Sequence, residues 1–130
     1  MNTNSLPEVL HIEDNPDISL IVAKILSNVA NITHVDNLAQ AREKLATHNF
    51  NLAILDLVLP DGSGLDLVTE LKQMKPPVAV IIHSAHEVSE NIHDVDAVLS
   101  KMYTQHDNLR ELVQTLTGQS IPATKSEASA

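Results

Sequence analysis

The chain contains no cysteine and no tryptophan. The first absence excludes a disulfide scaffold, a zinc-thiolate centre and a thiol nucleophile together. Aromatic residues are reduced to Phe50 and Tyr103, so stacking platforms for bases or sugars are nearly missing and the core has to be built from Leu, Ile, Val and Ala. Positive charge is scarce as well: eight Lys and Arg face seventeen Asp and Glu, a net charge of -9 with histidine neutral. Nucleic acid and anionic membrane surfaces are repelled by that balance, and no basic patch offsets it. The apolar runs do not exceed five residues, as in 78–82, against the roughly 20 that span a bilayer. The start of the chain, 1–7, is polar and has no apolar signal core, so the expected location is the cytoplasm.

What is present is one domain's length of chain, 130 residues, in which five short apolar segments alternate with five amphipathic ones from residue 8. That alternation predicts an α/β doubly wound sheet with helices on both faces. Strands are expected at 9–12, 32–35, 52–55, 78–82 and around 97–99. The second is polar enough for an edge, whereas the third and fourth are continuously apolar, as they are where helices cover both faces of a sheet. Asn15-Pro16 predicts a capped helix start, with Ile18, Ile21, Val22, Ile25, Leu26 and Val29 on one buried face. Asn37 and Gln40 predict a capping box for a helix running to about Thr47. Pro60-Asp61-Gly62-Ser63-Gly64 reads as a turn, and Leu67, Val68, Leu71 and Met74 as the apolar face of a helix stopped by Pro76-Pro77. Residues 87–94 allow one or two helical turns. Leu109, Leu112, Val113 and Leu116 mark the last helix. The expected organisation is a flexible start (1–7), a folded domain (8–117) and a disordered tail (118–130).

The polar residues fall at informative places. Glu13-Asp14, Asp56, Ser84 and Lys101 each end one of four strands that otherwise read as buried. In an open parallel sheet such residues line the crevice beyond the strand carboxyl ends. Three carboxylates converging there raise one another's pKa unless a cation compensates. An all-oxygen donor set suits a hard divalent cation, magnesium, with manganese as a substitute. Lys101 brings an ammonium group near Asp56, and the Ser84 hydroxyl can hydrogen-bond an oxygen held there. Together these groups form a phosphoryl-binding set, in which the most exposed carboxylate is expected to be the nucleophile.

With these residues in this order, the chain resembles the receiver domain of two-component response regulators over about residues 8 to 117. The resemblance rests on Glu13-Asp14 after the first strand, on Leu55-Asp56-Leu57-Val58-Leu59-Pro60-Asp61-Gly62, on Ser84-Ala85 and on Lys101. It implies a flavodoxin-like, five-stranded parallel sheet of order 2-1-3-4-5 and a phosphoacceptor at Asp56. Glu13 and Asp14 then serve magnesium, Asp14 more directly, and the backbone carbonyl of Val58 is the third protein ligand. Ser84 and Lys101 stabilise the charge of the added phosphoryl group. The implied donor is a phosphohistidine on a sensor histidine kinase or a histidine phosphotransfer domain. The implied output is contact with a downstream protein, from a monomer or weak dimer, and turnover is confined to self-phosphorylation and self-dephosphorylation at Asp56. Val58 and His86 match the positions that flank the hydrolytic water and tune phosphoryl lifetime.

Three features depart from the family pattern. Val98 stands where the switch aromatic is common, and Met102 where a proline usually follows the lysine. The interval from Ser84 to Lys101 is about five residues shorter than usual, which compacts the fourth-helix region. Tyr103 is a candidate partial substitute for the switch aromatic, with packing against the last helix the cheaper explanation.

Two other functions compete with this one. One is a phosphorylation-independent interaction module, against which the complete residue set argues. The other is a small metal-dependent phosphatase, which would need an acidic residue where Val58 stands. With a tail too short for an effector, a stand-alone signalling module is expected. The seven histidines, His11, His34, His48, His83, His86, His93 and His106, show no ligand spacing that puts three on one face. They read as structural or solvent-exposed, with His83 and His86 near the site. The acidic run 87–96 reads as a hydrated face.

Overall fold

Apolar residues recurring in short β-prone runs pair in parallel once amphipathic crossovers can cover both sides of the sheet. The computed structural model describes residues 6–85, 95–101 and 106–118. Its strands are β1 (Glu8–Ile12), β2 (Asn31–Val35), β3 (Leu52–Leu55), β4 (Ala79–Ser84) and β5 (Ala97–Ser100). They lie in the order β2-β1-β3-β4-β5, all parallel, which is the order the sequence resemblance implied. The helices are α1 (Pro16–Ile25), α2 (Leu38–Thr47), α3 (Leu65–Gln73) and α4 (His106–Leu116).

The period of two along each strand divides the core. Val9, Leu52, Ile54 and Ile81 pack with Val22, Leu26 and Val29 and with Leu109 and Val113 of α4. Leu10, Ile12, Ala53, Leu55, Val80 and Ile82 pack with Leu38 and Ala41 of α2 and with Leu67, Val68 and Leu71 of α3. Each such Leu or Ile, fully withdrawn from water, contributes roughly 1.5–3 kcal/mol before chain entropy is counted. The register sets Ile12 opposite both Val35 and Leu55, Leu55 opposite Ile82, and Ser84 opposite Ser100. β2, β1 and β3 therefore end at one level, β4 and β5 run two residues further, and the polar residues at these ends share one edge of the sheet.

Several local expectations need correction. Asn15 caps α1, accepting from the N–H groups of Asp17 (2.8 Å) and Ile18 (3.3 Å). Ile21, however, is 49% exposed and lies beside the exposed Leu20. At 100° per residue it falls on the margin of the arc centred on Val22 and Ile25, and helical packing does not reach it. At α2, Asn37 accepts from Gln40 N–H (2.8 Å), but the Gln40 side chain reaches the N–H of Asp36 (2.9 Å), so the capping box is displaced by one residue. The remaining donors at that helix start are taken by Asp61, whose two carboxylate oxygens accept from Leu38 N (2.8 Å) and Ala39 N (3.0 Å). Asp61 sits in a segment expected to be a simple turn. Val58–Leu59 and Gly62–Ser63 there form a two-residue antiparallel ladder.

Asp96, exposed as the acidic run predicts, is also a tether. Its Oδ2 accepts from Val80 N–H and from Lys72 Nζ, both at 2.8 Å, and so anchors the approach to β5. At the other side, Arg110 Nη1 donates to the carbonyl of Ile25 (3.0 Å), satisfying an orphan acceptor at the end of α1. The helical turns expected within 87–94 lie outside the described residues, as do 1–5 and 119–130 of the expected flexible ends. No helix among the described residues is long and apolar enough to cross a membrane.

Candidate functional site

The backbone ladders continue one residue past the strands and fix where the polar side chains begin. Glu13 N–H donates to Val35 O (3.0 Å), Asp56 N–H to Ile12 O (3.1 Å) and Lys101 N–H to Ser84 O (2.9 Å). From these anchors the side chains converge. Lys101 Nζ lies 2.7 Å from Glu13 Oε1 and 3.1 Å from Asp56 Oδ2. Carboxylate oxygens of Glu13, Asp14 and Asp56 all lie within 4.8 Å of one another. Asp56 Oδ1 accepts from Val58 N–H (3.3 Å), and Glu13 Oε2 from Asn15 N–H (3.1 Å). Glu13 Oε1 is buried with no aligned hydrogen bond, so its contact with Lys101 is an ion pair of close approach and poor direction.

Burial, assisted by the charge of Asp56, raises the pKa of Glu13 above the usual carboxylate value against the pull of Lys101 and the Asn15 N–H. For Lys101, burial favours loss of the proton, but the two carboxylates together outweigh it and raise its pKa. Its ammonium is therefore a fixed charge at neutral pH.

Exposure does not single out Asp56 as the sequence reading expected. Asp14 is the exposed carboxylate, whereas Asp56 is 7% and Glu13 1% exposed. The reason is topological: β3 is the middle strand of the sheet, and the residue at its end is walled by both neighbours. The loop behind Asp56 closes tightly too. A Cβ built on Gly64 would run into the Asp56 carbonyl oxygen and lie 3.1 Å from Leu55 Cγ, while Gly64 N–H donates to Leu57 O (2.8 Å). Only glycine permits that approach. The sequence reading gave this residue no role beyond the turn.

Ser84 is wholly buried at the end of β4, Val58 is 59% exposed at the mouth of the cleft, and Val98 is 43% exposed on β5 opposite Ile82. His86, Met102 and Tyr103 lie outside the described residues. Three carboxylates against one ammonium, among the described residues, leave an excess of negative charge and an unaligned buried oxygen. That all-oxygen set fits a hard divalent cation.

The structure also assembles a group that the histidine spacing had argued against. One ligand atom from each of His11, Glu13 and His83 lies within 4.8 Å of the other two, and all three residues are buried. Glu13, one residue past the end of β1, keeps the alternation of His11, and His83 continues that of Ile81 on β4, so one face of the sheet receives all three. The signal in the sequence was this parity, not any spacing within one element. Burial, then the charges of His34, His83 and Lys101, lowers the pKa of His11 to about 3. Burial and Lys101 lower that of His83 to about 4 against the opposite pull of Asp56. His34 is differently employed: its Nε2 lies 2.8 Å from Glu13 O.

Fold and cleft together define a doubly wound α/β domain with an acidic, lysine-bearing site at the carboxyl ends of its central strands. The chain belongs to the response regulator receiver domain family, whose sequence profile matches residues 9–116. It is 41% identical over 80 residues to the response regulator protein PilR of Pseudomonas aeruginosa, a match covering 59% of this chain and 18% of PilR. It is 27% identical over 117 residues to the response regulator receiver protein CpdR of Brucella abortus, covering 85% of this chain and 98% of CpdR. Among solved structures, it is similar to the response regulator protein TrrA of Thermotoga maritima in complex with Mg(2+)-BeF, with a TM-score of 0.76 and 25% identity over 85% of this chain and 99% of that one. The chain is a receiver domain of two-component signalling, and the interaction-only and phosphatase readings are not favoured.

Proposed function

We propose that Asp56 is the phosphoacceptor and that it takes its phosphoryl group from a phosphohistidine on a sensor histidine kinase or histidine phosphotransfer domain. The observation that carries this reading is the single ammonium of Lys101 placed against Asp56 Oδ2 and Glu13 Oε1 at once. In the transfer, a carboxylate oxygen of Asp56 bonds to phosphorus as the phosphorus–nitrogen bond of the donor breaks, and the electron pair leaves with the imidazole. Lys101 meets the charge of the arriving oxygens, and Ser84 supplies a hydroxyl donor to one of them. Glu13, Asp14, Asp56 and the Val58 carbonyl are the residues that would hold magnesium, or manganese in its place. When bound, that cation supplies charge neutralisation between carboxylates and phosphoryl oxygens. The Mg(2+)-BeF complex of TrrA supports this assignment.

The Val58 side chain offers the hydrolytic water no hydrogen bond, and the family resemblance gives Val58 and His86 the setting of the aspartyl phosphate's lifetime. Output passes to a downstream protein in the cytoplasm without a rotating aromatic at Val98, with Tyr103 as the candidate partial substitute and no direct contact to nucleic acid. The protein acts as a monomer or weak dimer. The test is transfer of labelled phosphoryl from a phosphohistidine donor domain. Label is expected to reach the chain in magnesium, to be released by hydroxylamine, and to be missing from Asp56→Asn. Equal labelling of parent and Asp56→Asn would overturn the assignment.

A further inference from the structure

The buried group on β1 and β4 has the composition of a transition-metal site. His11 is 1%, Glu13 1% and His83 5% exposed, and His11 Nδ1, Glu13 Oε1 and His83 Nδ1 are the buried side-chain polar atoms that lack a hydrogen-bond partner among the described residues. Leaving such an atom unsatisfied costs roughly 1–3 kcal/mol; the two imidazole nitrogens have no partner, Glu13 Oε1 has only its ion pair with Lys101, and the ligand atoms of the three residues cluster within 4.8 Å. Two imidazoles and one carboxylate form a donor set that zinc uses, with a water completing a tetrahedron. Imidazole nitrogen suits zinc, copper or nickel, whereas magnesium prefers the all-oxygen group nearby.

We propose that His11, His83 and Glu13 form a second metal site, selective for a borderline cation such as Zn2+, that shares Glu13 with the acidic cleft. The competing cation in the structure is Lys101, 2.7 Å from Glu13 Oε1. It has a second carboxylate to retire to, Asp56 Oδ2 at 3.1 Å. Loading the site therefore draws Glu13 away from Lys101 and concentrates the lysine on Asp56, so zinc opposes phosphoryl uptake. That consequence rests on the phosphoacceptor reading; the binding itself does not.

The experiment uses the full chain without phosphodonor, in excess magnesium, titrated with Zn2+ by calorimetry and with Co2+ by visible absorption. One ion per chain is expected, with absorption of a four-coordinate nitrogen–oxygen site. Removing an outer partner of a metal ligand typically costs 10–100-fold in affinity, so losing a ligand in His11→Leu or His83→Leu is expected to weaken Zn2+ by about 100-fold or more. Asp14→Asn, which spares all three zinc ligands and weakens the magnesium that competes for Glu13, is expected not to weaken Zn2+ binding. Histidine ring-nitrogen NMR on the parent chain gives a reading that needs no variant: the nitrogens of His11 and His83 shift on Zn2+ addition. No saturable Zn2+ binding, or unshifted His11 and His83 nitrogens, would overturn the site. So would Zn2+ binding that Asp14→Asn abolishes and His11→Leu leaves intact, which places the ion among the carboxylates. A chain that binds Zn2+ at the histidines yet takes no phosphoryl group would contradict the acceptor assignment and leave this site standing.

Discussion

Acidification from about pH 7 to about pH 5 should cost this fold more than a typical surface-charged domain, because two imidazoles are held neutral inside it. His11 titrates at 6.5 when exposed and at about 3 in the fold; His83 moves from 6.5 to about 4. The unfolded chain takes up these protons first, so the stabilising contribution is complete above about pH 6.5 and is lost as pH falls toward the folded values. At about pH 5 the unfolded chain has gained the free energy of protonation across some 1.5 pKa units per histidine, at about 1.4 kcal/mol per unit. That is ~2 kcal/mol for His11 and somewhat less for His83, which lies nearer solvent, or roughly 3 kcal/mol together. Glu13 acts in the opposite sense. Its raised pKa favours the folded state on the acid side, a contribution lost as pH climbs through its folded value, and it trims the histidine effect. Urea unfolding followed by circular dichroism, with chelator present, measures the loss as a lower midpoint at unchanged slope. The His11→Leu/His83→Leu double variant keeps apolar volume and should lose less than about 1 kcal/mol over the same interval. An equal acid loss in parent and double variant would refute the reasoning.

Two further substitutions address the cleft. Gly64→Ala drives a methyl group into the carbonyl of Asp56; initial phosphoryl uptake should fall at least tenfold, about 1.4 kcal/mol in barrier, while Gly118→Ala, strained by its φ of +80° but with open space around it, serves as the control for backbone strain remote from the cleft, with uptake unchanged. Lys101→Met leaves buried Glu13 and Asp56 without their shared cation. Stability at neutral pH should fall by about 3 kcal/mol and partly recover on acidification, because Glu13 then has a still higher folded pKa and its stabilising contribution lies below that value; a urea series across pH reads both effects.

Much of the fold is written in period and placement. The apolar runs at β3 and β4 have helix-covered faces, β2 carries the polarity of an edge, and Asn15-Pro16 opens α1. The residues of the cleft were legible for a related reason: a polar residue ending each buried strand becomes a shared cleft as soon as the strands run parallel and end within two residues of one another. What the sequence concealed depends on contacts between distant segments. Asp61 caps a helix 23 residues earlier in the chain, and local turn chemistry gives no sign of that. Asp96 ties β4 and Lys72, where its acidic neighbourhood suggested only hydration. Asp14 rather than Asp56 faces solvent because exposure at a strand end follows position in the sheet, and the order of strands is not a local property. The His11, Glu13 and His83 group spans β1 and β4 across the intervening β3, so histidine spacing within one element could not show it.

The central claim is chemical and concerns one carboxylate. After phosphorylation in magnesium by acetyl phosphate or a phosphohistidine donor domain, borohydride reduction followed by peptide mass spectrometry converts an aspartyl phosphate into homoserine at its position in the chain. Homoserine at position 56 alone, dependent on both magnesium and donor, is the predicted result; homoserine at position 14 or 13, or none with either donor, would contradict the account.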